Sequence, residues 1–161
     1  MRWLEETRLA LLERAVSRLR GLTAKRGGGS SRAEHLATGE DGETAAFFYL
    51  RRKGYIVVAR RWGSRMQRGD LDLVAWNGPV LCIIEVKTRT AHDMAAAEVA
   101  VDAHKRTVLR RLARRYVDQL PGKSRPPVRF DILSVYLERH KEKEFVHFEG
   151  AFAWSESAEY D

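Results

Sequence analysis

Residues 69–89 read Gly-Asp-Leu-Asp-Leu-Val-Ala-Trp-Asn-Gly-Pro-Val-Leu-Cys-Ile-Ile-Glu-Val-Lys-Thr-Arg. Two apolar runs, Leu71 to Trp76 and Val80 to Val86, flank Asn77-Gly78. Their β-branched, apolar content predicts two strands buried on most of their surface. Asn77-Gly78 predicts the hairpin between them, since both residues tolerate positive φ. Three charges interrupt these runs: Asp72, Glu85 and Lys87. Burying a charge without a partner is costly, so the trio needs a reason.

Two readings account for it. In the first, Asp72 and Glu85 hold a hard divalent cation, Mg²⁺ or Mn²⁺, through oxygen, and the Lys87 ammonium acts on a bound water or a phosphate. Glu85 and Lys87 are two apart, so they share one face of a strand, and Asp72 faces them from the partner strand. In the second, Lys87 simply forms a salt bridge with Asp72 or Glu85 at the end of the hairpin. Strand geometry alone does not choose between them.

Upstream of the hairpin, residues 51–68 carry seven Lys or Arg and no acid: Arg51, Arg52, Lys53, Arg60, Arg61, Arg65 and Arg68, with Tyr55 and Trp62 interleaved. Tyr55 to Ala59 predicts a strand and 60–68 a basic loop leading into Asp70 and Asp72. Attraction to phosphate is cationic and largely sequence-independent, and aromatic rings stack on unpaired bases. Arg60, Arg61, Arg65, Arg68 and Arg89 are therefore candidates for nucleic-acid contact. The plain alternative is a solvated loop.

Further motifs carry a resemblance. Gly42-Glu43 is followed by Ala46 and Tyr49-Leu50, and then by Gly54-Tyr55. Gly69-Asp70-Leu71-Asp72 and Glu85-Val86-Lys87-Thr88-Arg89 come next, then Val101-Asp102-Ala103 with Lys105, and Arg129-Phe130-Asp131. Together these resemble the YraN family, predicted endonucleases of the PD-(D/E)xK nuclease superfamily, similar to archaeal Holliday-junction resolvases. The resemblance covers roughly residues 38–152. It implies a restriction-endonuclease-like fold and a metal-dependent endonuclease acting on DNA, including branched DNA. It also implies Glu43 as a third carboxylate aimed at a metal held by Asp72, Glu85 and the carbonyl of Val86. Lys105 falls on the family's lysine, at the edge of the site or on phosphate. Asp70 stands where the family usually has Glu and is expected to point away from Asp72. A homodimer follows by analogy, because resolvases cut two strands.

Beyond the hairpin, Thr38 and Asp41 predict a capping box and a helix over about 39–53. Helical periodicity returns over about 97–118, with Lys105, Arg106, Arg110, Arg111, Arg114 and Arg115 on it. Pro121, Gly122, Pro126 and Pro127 break the chain, and Val128 to Leu137 predicts another strand. Arg129 and Asp131 share a face of that strand and read as a structural contact. Phe145 to Phe148 and Ala151-Phe152 predict a last strand and a packing segment. The expected class is α/β: a mixed sheet flanked by helices, in the order α-β-β-β-α-β-β, with an extra N-terminal helix.

That extra helix is expected within residues 1–26, a basic stretch in which Leu4, Leu11, Leu12, Ala15, Val16, Leu19 and Leu22 recur at helical spacing. Residues 27–37, containing Gly27-Gly28-Gly29-Ser30-Ser31, read as a flexible linker. The nuclease-like domain is then 38–154 and the acidic tail 155–161. Packing on the domain or a partner, or disorder, is favoured over a membrane-surface helix, because glutamates interrupt the polar face.

At 161 residues the chain fits one domain. Its net charge of +7 favours an anionic partner, nucleic acid before an acidic membrane. The single cysteine, Cys82, lies in an apolar run and excludes a disulfide framework; it reads as a packed hydrophobe in a cytoplasmic protein. No run is long and apolar enough to cross a membrane. Two rival classes stand beside the nuclease. One is a non-catalytic nucleic-acid-binding module on a nuclease fold; the other is a peripheral membrane or scaffold protein using residues 2–22.

Overall fold

In the computed structural model, described residues are 7–16, 18, 31–63, 69–89, 101–122, 125–137 and 141–154. Helix α1 spans 7–16 and α2 Ser31–Arg52. Strands β1 (Ile56–Gly63), β2 (Asp70–Asn77) and β3 (Val80–Arg89) follow. Helix α3 (Ala103–Asp118) precedes β4 (Val128–Tyr136) and β5 (Glu144–Phe152). One five-stranded sheet has the order β1-β2-β3-β4-β5, antiparallel throughout except between β3 and β4. Parallel neighbours need a crossover, and α3 lies in that connection. The expected α/β architecture and element order are present.

The two faces of the sheet bury different cores. Leu73, Ala75, Cys82, Ile84, Leu133 and Val135 pack with Ala45, Ala46 and Leu50 of α2. Leu71, Val74, Ile83, Phe130 and Ile132 pack with Leu109, Leu112 and Val117 of α3. Strand β3 is thus covered on both sides, which is why its sequence is continuously apolar from Leu81 to Ile84. Burying each of these large side chains contributes about 1.5–3 kcal/mol. Cys82 is buried and reduced, and burial pushes its thiol up to about 11, so it behaves as the small hydrophobe expected.

Several boundaries differ from the sequence reading. Helix α2 begins at Ser31, so the later part of the expected linker is helical and Thr38 lies inside the helix instead of capping it. Strand β1 continues to Gly63, placing Arg60 and Arg61 on a strand and not in a loop; 64–68, with Arg65 and Arg68, lie outside the described residues. The hairpin turn is Gly78-Pro79, because Asn77 still pairs with Val80. Only Gly78 takes positive φ (58°), at the first central position, where II′ turns place glycine. β5 is one strand through to Phe152.

Helix α1 departs most from expectation. Its Leu11 and Leu12 are 59% and 57% exposed. The contact made with the domain is polar: Glu13 accepts hydrogen bonds from Arg52 (2.7 Å) and Lys143 (2.8 Å). Burial opposes the Glu13 charge, but Lys143 and Arg52 outweigh it and hold the carboxyl below its usual range. Leu4, Leu19 and Leu22 lie outside the described residues.

Candidate active site

The register of β2 on β3 pairs Leu73 with Ile84, and one step further brings Asp72 opposite Glu85. Asp72 Oδ2 accepts a 2.7 Å hydrogen bond from the Val86 N–H. Glu85 is almost fully buried and has a cation on each oxygen. Lys87 Nζ lies 2.9 Å from Oε1, and Lys105 Nζ lies 3.1 Å from Oε2. Lys87 arrives from the same face of β3, whereas Lys105 arrives from the first turn of α3. That turn is fixed by Asp102, whose Oδ1 caps the helix by accepting from the Lys105 N–H at 2.7 Å. One acidic cap thus sets where the second lysine points.

Glu43 comes from α2. The helix runs close over the end of β3 at Gly42: a Cβ there would sit 1.8 Å from Thr88 Oγ1, so only glycine permits the approach. Arg61 holds Glu43 with two hydrogen bonds, 2.6 and 3.1 Å, and reaches Glu40 at 2.8 Å. These acids raise the pKa of its guanidinium further. Arg61 has φ 46°, the left-handed region that costs an L-residue roughly 1–2 kcal/mol. Such strain is kept where surrounding contacts fix it, often beside a site.

The electrostatics of the two central acids are unequal. Burial pushes the Asp72 carboxyl up to about 7, and the negative charge of Glu85 adds to this; the Val86 N–H and Lys105 oppose it. Burial works against the Lys105 ammonium, but Glu85 attracts it and the net shift is upward, with Asp72 and Asp70 contributing. Asp70 therefore adds to the same field, although its side chain was expected to point away. Both lysines are drawn to Glu85, which leaves Asp72 short of positive charge. A hard divalent cation suits that deficit, and two carboxylate oxygens suit the cation. Among the described residues no three His, Cys, Asp or Glu side chains converge as a ready metal cage, consistent with Glu43 being engaged by Arg61.

The candidate phosphate-binding cations divide. Arg60 donates to Thr44 Oγ1 (3.1 Å) and lies over the Phe47 ring, tying β1 to α2. Arg61 serves Glu43, and Lys105 serves Glu85. Arg89 ends β3, its carbonyl accepting from the Leu137 N–H at 2.8 Å. The pairings of Lys105 and Arg61 were not read from sequence. The alternation of strand β1 past Ala59 would have been the signal for Arg61, had its length been legible.

A second charged cluster, around Asp131, lies beside Ile84 on the α2 face of the sheet. Asp131 is fully buried. It accepts from Arg129 (2.8 and 2.9 Å) and from the Gly150 N–H (2.9 Å), and it lies 3.1 Å from His147 Nε2. Arg129 also donates to Tyr55 Oη at 2.9 Å. Arg129 and Asp131 thus make the structural contact expected.

Similarity to known proteins gives the family. A profile described as "Uncharacterised protein family UPF0102" matches residues 42–135, from the glycine beside Thr88 to the end of β4. The chain belongs to the UPF0102 (YraN) family. A UPF0102 protein of Koribacter versatilis is 52% identical over 108 residues, 67% of this chain and 74% of the relative. One from Solibacter usitatus is 44% identical, covering 71% of this chain and 84% of its own length. One from Porphyromonas gingivalis is 40% identical, covering 74% and 87%. The matched stretch contains all of Glu43, Asp72, Glu85, Lys87 and Lys105 but excludes α1. No helix among the described residues is long and apolar enough to cross a membrane.

Proposed function

We propose that this UPF0102 protein is a metal-dependent endonuclease that hydrolyses phosphodiester bonds in DNA, including branched DNA. The observation that carries the reading is the Asp72–Glu85 pair. The half-buried Asp72 and the buried Glu85 face each other at the open end of a hairpin, one carboxyl pushed up to about 7, with two lysines at ion-pair distance from the other. A structural ion pair needs one acid and one base; here both lysines lie on Glu85 and, among the described residues, Asp72 has no ion pair within reach.

Asp72, Glu85 and the Val86 carbonyl would hold Mg²⁺ or Mn²⁺, with Glu43 completing or orienting the set once Arg61 releases it. The cation would polarise the phosphoryl oxygen and lower the pKa of attacking water. Lys87, drawn off Glu85 Oε1, would position that water or the phosphate through the N–H donors of its ammonium. Lys105, drawn off Oε2, would stabilise charge building on the phosphate oxygens. Arg61 would pass from the α2 acids to the DNA backbone, so that substrate frees Glu43. A homodimer in the cytoplasm, cutting two strands, suits the resolvase-like reading.

Glu85 having both oxygens already held by lysine favours the rival reading, a DNA-binding module without chemistry. Purified protein with Mg²⁺ or Mn²⁺ should be given single strand, duplex, flap, fork and four-way junction, beside Glu85→Ala and Lys87→Ala. Cutting that vanishes in both variants while binding persists is expected. Undiminished cutting by Lys87→Ala would remove its role, and binding without cutting by any protein would favour the module.

A further inference from the structure

We propose that this chain carries a second nucleic-acid contact, a single-strand-binding cleft between α1 and the start of β5, separate from the Asp72–Glu85 site. It rests on the reading that the partner is nucleic acid. The cleft has a volume of about 690 Å³. It is lined by Arg14 and Arg18 of the N-terminal segment, Arg52 at the end of α2, and Lys141, Lys143 and Phe145 at the start of β5. Glu13 and Glu142 are the acids lining it.

Three observations point to a polyanionic strand with bases. First, five cations against two acids leave the cleft net positive. Glu13 is already committed to Arg52 and Lys143, which ties α1 to the end of α2 and to the start of β5. Second, Phe145 brings an aromatic ring to a cationic groove, held flat by stacking on Tyr49 at 4.6 Å and 15°. A cationic track with a rigid ring is the composition that binds single strands without sequence preference. Third, the inverted docking of α1 has an explanation here. The helix turns its acid to the domain and leaves Arg14 and Arg18 on the rim, which a helix seated on its leucines would not do. Glu43 and Arg52 are nine residues apart on α2, half a turn out of phase, so cleft and candidate active site lie on different sides of that helix. α1 also lies outside the family-matched residues 42–135.

The test measures binding of a fluorescein-labelled oligothymidylate to the full chain by anisotropy across a salt series in EDTA. Variants are Arg14→Gln/Arg18→Gln, Lys141→Gln, Phe145→Leu and, as a control on α3, Arg111→Gln. Removing one phosphate contact should flatten the slope of log K against log salt by about 0.7. The double variant and Lys141→Gln should both flatten it, Phe145→Leu should weaken binding at unchanged slope, and Arg111→Gln should do neither. Lys141→Gln lies outside the N-terminal helix and Phe145→Leu removes no charge, so the test survives if the double variant releases the helix. An unchanged slope in the cleft variants, or an equal flattening in Arg111→Gln, overturns the proposal. So do cleft variants that weaken binding to phosphatidylglycerol vesicles and leave oligonucleotide binding as it was. The assay runs in EDTA and so is independent of metal-dependent cutting. Failure to cleave DNA in Mg²⁺ would count against the nuclease reading alone, and an unchanged slope against the cleft alone.

Discussion

Asp72 on β2 is half-buried and Asp131 on β4 fully buried in the same sheet, and their surroundings push them in opposite directions. Burial raises both. Asp131 recovers its charge from His147, Arg129 and the Gly150 N–H, and ends below its usual range. Asp72 has one backbone N–H and a more distant lysine, faces Glu85, and ends near 7. A satisfied acid holds a fold together, whereas a deficient one is poised for something to arrive. The difference lies in the partners: Asp131, with no exposed surface, is the deeper by solvent exposure and still the one that keeps its charge.

The contrast can be broken most forcefully at Asp131. Asp131→Ala leaves Arg129 only Glu149 (2.8 Å) and Tyr55 among the described residues, and unpins β5 at Gly150 and His147, so it should cost about 3 kcal/mol in urea unfolding. A cost under about 1 kcal/mol would show that the network is ornamental, by the spread of ordinary surface substitutions. On the site's own side, Gly42→Ala drives a methyl into Thr88 and should cost about 2 kcal/mol, partly restored by Thr88→Ala. If the double variant is no more stable than Gly42→Ala, close approach is the wrong reason for this glycine.

Asp72→Asn should do the reverse of Asp131→Ala. The folded pKa is about 7 against an ordinary 3.8, so the native state binds the proton more tightly than the unfolded chain. Stability therefore falls as pH rises through that interval and stays low above it. Asp72→Asn should raise stability on the order of 1–2 kcal/mol at pH 8 and leave it unchanged at pH 4. Thermal melts at the two pH values check this; destabilisation at pH 8 would place Asp72 among the structural acids. The smallest expected effect is at Arg61. Both Arg61→Ala and Arg61→Gly remove the half-exposed pairs to Glu40 and Glu43, but only glycine relaxes the left-handed backbone, so it should be about 1 kcal/mol the more stable. Equal stabilities would mean that the strain is not real.

The hairpin was legible because one-dimensional signals carry it: continuous apolar β-branched residues, a glycine turn, and charges too costly to bury idly. Cys82 and the Arg129–Asp131 pair were legible for similar reasons, since neighbours two apart on a strand share a face. The cations were harder. Lys105 meets Glu85 only because a crossover helix returns to β3, and Arg61 meets Glu43 only because β1 runs past Ala59. Both depend on non-local packing that no local pattern encodes. Helix α1 misled for the opposite reason: its leucine periodicity was plain, but Glu13, between Arg52 and Lys143, decides which side faces the domain.

The most direct test of this account is the titration of ¹³C-labelled aspartates by NMR, with and without Mg²⁺. Asp72 should titrate near 7 without metal and be drawn down when Mg²⁺ is added. Asp131 should stay below the ordinary range in both. An Asp72 that titrates like a surface aspartate and ignores Mg²⁺ would contradict the claim that this pair of carboxylates is built to receive a cation.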